Sequence, residues 1–201
     1  MPVVAANVVV LLVAWWLRWP LVTLLWPYWL QSVIIGFYSR RRILALQRFS
    51  LEGTAGFDGG SPEATKQSTA RLFALHYGMF HMVYFGFLAI ATLGGFKGVP
   101  AYNVTPVDLF CIAAIGLAFV FTHHGTYRRI MDSDRRGNPN IGGVMFLPYL
   151  RILPMHVTII IGLGSGLTGA VLLFGVLKTA ADLLMQWIEY RITNVPVEST
   201  Q

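Results

Sequence analysis

Five histidines stand in or beside strongly apolar stretches: His76, His81, His123, His124 and His156. Neutral imidazole is a common ligand for zinc, copper or iron, and three such groups leave a coordination position open for chemistry. His76 and His81 are five residues apart, which turns the second about 140° from the first on an α-helix. A chelating pair on one helix prefers i and i+4, as in H-E-x-x-H, so these two do not grip one ion in the simple way. A single-turn π-bulge near Gly78 would be needed to bring them together. Tyr77 and His81 are themselves i and i+4, and with Tyr84 they mark a broad polar face that should point inward.

A second group with chemical potential lies near the end of the chain. Lys178, Asp182, Gln186 and Glu189 follow one another at four, four and three residues, drawing one polar stripe down a helix. A lone charge deep in hydrocarbon costs about 2.5 to 3.5 kcal/mol on insertion scales, and i,i+4 spacing lets Lys178 and Asp182 pair. The pair reads either as a structural tie or as a proton-linked or anion-binding element of a pathway. Tyr28, Gln31 and Ser32 extend the polar network, and Asn7 can join it from the first apolar stretch.

The elements that must position these groups are membrane helices. The chain has 201 residues, 55% hydrophobic and only 12% charged, with a mean hydropathy of +0.60. That composition excludes an ordinary soluble domain. The expectation is an all-α, polytopic bundle forming a single membrane domain over residues 1–201. Its six transmembrane helices lie at about 3–17, 20–38, 71–93, 107–127, 147–163 and 167–190. Polar loops occupy 39–70 and 128–146. Gly162 to Gly169 supply a closely packing turn, and no basic n-region or cleavage site suggests a removable signal peptide. The lone Cys111 rules out an internal disulfide.

Charge placement orients the bundle. Of the 15 Lys and Arg, six lie between Arg40 and Arg71, five between Arg128 and Arg151, and one is Arg191, all on the side of the two termini. Only Arg18 and Lys97 fall on the other side, and Lys178 lies within a span. The asymmetry puts both ends in the cytoplasm of a bacterial inner or archaeal cytoplasmic membrane. The net charge of +6 is thus topological, and no basic face suits nucleic acid. The run Arg40-Arg41-Arg42 suits anionic lipid heads. His76, His124 and His156 lie four or five residues from Arg71, Arg128 and Arg151, which places each about 6 to 8 Å inside the same boundary.

Tyr28 to Gly36, His76 to His81, His124-Gly125, Pro148 to Ile152 with His156 to Ile160, and Lys178 to Asp182 together resemble an uncharacterised prokaryotic multi-pass membrane family, the domain of unknown function numbered 6498. The resemblance covers about residues 7–182 and favours His124 over its neighbour His123. Gln31 stands where the family leads one to expect Glu, which weakens a proton role for that position. The resemblance implies a fold and a site but no reaction.

The leading expectation is therefore an integral membrane protein with a His-rich polar site, metal-binding or redox. Its ligands would be His76, His124 and His156, with His81 and His123 as further candidates and Tyr77, Arg151, Lys178 and Asp182 as a surrounding network. A b-type haem, held by two imidazoles, is the less favoured variant. The alternatives are a small proton-coupled transporter lined by the same residues and a non-catalytic accessory subunit, acting as a homo-oligomer or with a partner membrane subunit. No Gly-x-Ser-x-Gly, cysteine pair or coupled nucleophile and base marks a hydrolase.

Overall fold

The computed structural model describes residues 2–51, 61–95, 101–154, 156–157, 175–185 and 187–188, excepting the side chains of residues 2–6 and of Arg151. The described chain is helical: α1 (Pro2–Trp16), α2 (Leu21–Ala45), α3 (Pro62–Thr92), α4 (Pro106–Arg136) and α5 (Ile141–Phe146), followed by a 3-10 turn, Leu147–Arg151. Residues 175–185 form a further helical segment. Among the described residues the only β pairing is an isolated bridge between Ser50 and Asn140, which ties the chain beyond α2 to the start of α5.

Among the described residues three helices, α2, α3 and α4, are long and apolar enough to cross a membrane. The expected first span is the 15-residue α1. The expected fifth is described only up to Val157 and the sixth only over 175–185 and 187–188, so the Gly162 to Gly169 turn lies outside the described residues.

The helices outrun the apolar stretches. The sequence places residues 39–70 and 128–146 in loops, yet α3 begins at Pro62 and α4 runs on to Arg136. Local chemistry explains both extensions. Ser61 caps α3 by accepting from the Ala64 N–H at 3.3 Å, Pro62 opens the helix, and Glu63 pairs with Lys66 at 2.8 Å. Thr105 and Asp108 form a capping box at the start of α4, with Pro106 at its first turn. The far end of α4 is held to α2 by the Arg42–Asp134 ion pair.

The core is organised around α2. It packs against α1, α3, α4, α5 and the 3-10 turn. About 61% of its most apolar window is buried, against 11% for α4, so α2 is central and α4 peripheral. Its inward side carries Leu24, Leu25, Tyr28, Gln31, Ser32, Ile35 and Tyr38, and α3 answers with Phe73, Tyr77, His81, Tyr84 and Leu88. Close contact between the two depends on Gly36, where an added Cβ would lie 2.5 Å from Cε1 of Tyr77. Gly94, with φ of 74°, supplies the left-handed turn that ends α3.

These contacts set a paired expectation. Gly36→Ala should destabilise the protein by about 1 to 3 kcal/mol, because the Tyr77 ring or α3 must shift. Gly78→Ala on α3, whose Cβ would meet nothing within 4 Å, should leave stability unchanged or raise it. Thermal unfolding in mild detergent reads both.

Candidate functional site

The five-residue spacing of His76 and His81 has its geometric consequence on an unbroken α3: His76 is exposed and His81 buried, 5% exposed. The Nδ1 of His81 lies 2.8 Å from the Tyr77 carbonyl oxygen. A carbonyl only accepts, so Nδ1 carries the proton and Nε2 presents a lone pair. Among the described residues that Nε2 is buried with no hydrogen-bond partner. The ring stacks on Tyr77, centroids 4.3 Å apart, and meets Tyr84 edge-on at 6.3 Å. Tyr77 is fixed in turn by Ser32: its hydroxyl donates to the Ser32 carbonyl at 3.0 Å and lies 2.9 Å from the Ser32 hydroxyl.

Three other histidines are each hydrogen-bonded to a different tyrosine. His76 Nδ1 lies 2.9 Å from the Tyr149 hydroxyl, His124 Nδ1 lies 3.2 Å from that of Tyr38, and His156 Nδ1 bonds that of Tyr84. His76 and His156 both meet Phe80 edge-on, with ring centroids 5.0 and 6.3 Å away. His124 reaches α2 instead, at Tyr38. The structure thus brings His76 and His156 to one side of α3 and leaves His124 elsewhere. Among the described residues no group of three His, Cys, Asp or Glu is close enough to hold one ion. His123 stacks on Phe119 at 5.3 Å and meets Tyr38 edge-on at 5.1 Å.

The polar stripe of the segment 175–185 is buried. Lys178 is 7% exposed and Asp182 2%, and the two form an ion pair. Asn7 of α1 donates from Nδ2 to Asp182 Oδ2 at 3.0 Å, and the Lys178 ammonium lies 5.4 Å from the centroid of the Tyr28 ring. Three elements therefore converge on one buried pair of charges. Gln186 and Glu189 and the side chain of Arg151 lie outside the described residues.

The chain matches the model of a family of unknown function, DUF6498, over residues 1–197. It belongs to that family. No curated protein and no solved structure matches it. Membership of DUF6498 thus supplies no reaction, and what this chain can do chemically rests on its own side chains.

Several polar contacts of this DUF6498 chain have little or no signal in its sequence. Arg42, expected with Arg40 and Arg41 at anionic headgroups, is turned into the protein: its guanidinium makes two bonds to Asp134, at 2.7 and 2.9 Å. A bidentate pair screened from water is stronger than a solvated one, which is why Arg42 is held inside. Asp108 is buried at the other end of α4, accepting from Trp19 Nε1 at 2.6 Å and from the Thr105 backbone and hydroxyl at 2.8 Å each. The Thr-x-x-Asp spacing behind Pro106 signals the cap, but nothing local signals Trp19. Burial, and then the Asp108 carboxylate, raise the Tyr102 phenol above its ordinary value, so it stays protonated and donates to Asp108 at 3.3 Å.

Removing one member of the buried charge pair should be far worse than removing both. Asp182→Ala leaves an uncompensated ammonium and should cost about 3 to 5 kcal/mol. The double variant Lys178→Met with Asp182→Leu should recover most of that loss. Denaturant or thermal unfolding of the purified variants measures the difference.

Proposed function

We propose that this chain is a six-span protein of the bacterial inner or archaeal cytoplasmic membrane, with both ends cytoplasmic, that couples passage of a small solute to protons. The observation that carries this reading is the Lys178–Asp182 pair, buried in an apolar helix and met by Asn7 from α1 and Tyr28 from α2. Ionisable groups inside a membrane bundle are costly, and they characteristically mark ion paths and proton relays. Asp182 gives up or takes a proton as Lys178 moves toward or away from it, so the pair links protonation to helix packing. The His–Tyr contacts support the same reading, since each joins two groups that can both donate and accept. Arg40 and Arg41 remain the proposed contacts with anionic lipid heads.

A second reading, metal binding, draws on a different observation. His81 donates its Nδ1 proton to a backbone carbonyl and keeps a buried Nε2 lone pair, the arrangement in which a ligating imidazole is held by its outer shell. Such a site would be organised by His81, with zinc, copper or iron as candidates, and not by His76, His124 and His156 as one set. Stoichiometric metal lost in His81→Gln but retained in His76→Gln would support it.

Proton coupling is testable in liposomes that enclose a pH-sensitive dye, under an imposed membrane potential, with amino acids, sugars and organic acids supplied outside in turn. The expected result is proton entry that one solute class stimulates and that the folded double variant Lys178→Met with Asp182→Leu reduces to the rate of protein-free liposomes. Entry at the protein-free rate with every solute, or equal entry in the double variant, would contradict the proposal.

A further inference from the structure

One face of α2 continues beyond the buried charges. Tyr28, Gln31, Ile35, Tyr38 and Arg42 follow at three, four, three and four residues, so they share a side of the helix. Tyr28 stands beside Lys178, while Ile35, Tyr38 and Arg42 line a small cavity together with Met185, which lies three residues past Asp182. The segment 175–185 therefore follows α2 from the ion pair to this cavity. The cavity measures about 30 Å³, and Tyr38, Ser39, Arg42, His123 and Tyr127 give it a polar wall. A space of about 10 to 15 Å³ holds one water when polar partners surround it, so this one has room for about two. The groups that face it are Tyr38 and Arg42 from α2 and His123 and Tyr127 from α4; Asp134 holds Arg42, and His124 holds Tyr38. Arg42 is the lining residue that belongs to the Arg40 to Arg42 run.

We propose that this cavity is the access route by which protons reach the Lys178–Asp182 pair from the side of the membrane bearing Arg40 to Arg42, with the Arg42–Asp134 ion pair as its latch. The proposal rests on the proton-coupled reading and adds to it a direction of entry and a closing element. The hydroxyls and the imidazole of its wall are the partners that water in such a space needs, and one helical turn separates Met185 from Asp182. With Arg42 bonded to Asp134 the mouth is shut; when Arg42 swings out, the cavity opens to that side. Nothing in this requires the larger apolar cleft lined by Phe80, Phe146 and Leu153.

Single cysteines at Met185 and Ile35, each in a Cys111→Ser background, test the route without reference to flux. The probe is a charged, membrane-impermeant methanethiosulfonate, applied to membrane vesicles of either orientation. Both cysteines should react only from the side bearing Arg40 to Arg42, and Asp134→Asn should speed the reaction about ten-fold by freeing Arg42. A cysteine at Leu24, fully buried on α2, should stay unreactive from either side. Reaction of Met185→Cys and Ile35→Cys from the opposite side, from both sides, or from neither would overturn the route. So would a rate indifferent to Asp134→Asn. One-sided labelling without proton coupling in liposomes would instead remove the coupled reading and leave the access path standing.

Discussion

An ammonium and a carboxylate placed in an apolar helix must find each other, because neither has water to fall back on. That constraint governs the interior of this protein. Lys178 and Asp182 satisfy part of it alone through i,i+4 spacing, but a carboxylate has more acceptor capacity than one ammonium fills. Asn7 supplies a further donor from α1, and the Tyr28 ring on α2 faces the ammonium. The pair therefore recruits two other elements, and α2 becomes central because it carries both the ring beside Lys178 and the face that packs on α3. The close approach of α2 to α3 at Gly36 and Tyr77 then fixes Ser32, Tyr77 and His81 in one polar line.

The histidines of the described residues are spread over separate contacts with tyrosine. Tyr38, Tyr77, Tyr84 and Tyr149 each meet a histidine. Phenols suit this role: the ring packs among apolar neighbours while the hydroxyl reaches a partner. Such contacts distribute donors and acceptors along the helix interfaces. His81 is the exception, the histidine whose second nitrogen is buried with no partner among the described residues.

Much of this was legible in the residues, and what was not has a physical cause. The apolar stretches of α2, α3 and α4 are visible as hydropathy, and the opposite environments of His76 and His81 follow from 140° of helical rotation. The pairing of Lys178 with Asp182 follows from spacing, and Asn7 was visible as a polar residue among apolar ones that needs a partner. Expected depth along a helix follows from rise per residue alone. Azimuth is not readable in this way: His124 has a similar expected depth to His76 and His156 but meets Tyr38, because α4 packs on α2. The turns that follow Pro62 and those that lead to Arg136 lie beyond the apolar stretches because water-exposed turns hold through caps and charge pairs, which hydropathy does not register. The Arg42–Asp134 bond joins residues 92 positions apart, and no local pattern encodes such a partner.

The central claim is that Asp182 is a proton-exchanging group held by Lys178 and not merely a fixed tie. Infrared difference spectroscopy of the protein in liposomes, comparing acidic with alkaline buffer, reads this directly. The account predicts a protonated-carboxyl band on acidification that disappears in Asp182→Asn and shifts in Lys178→Met. A spectrum in which no carboxyl band depends on Asp182, with wild type and Asp182→Asn superimposable, would contradict it.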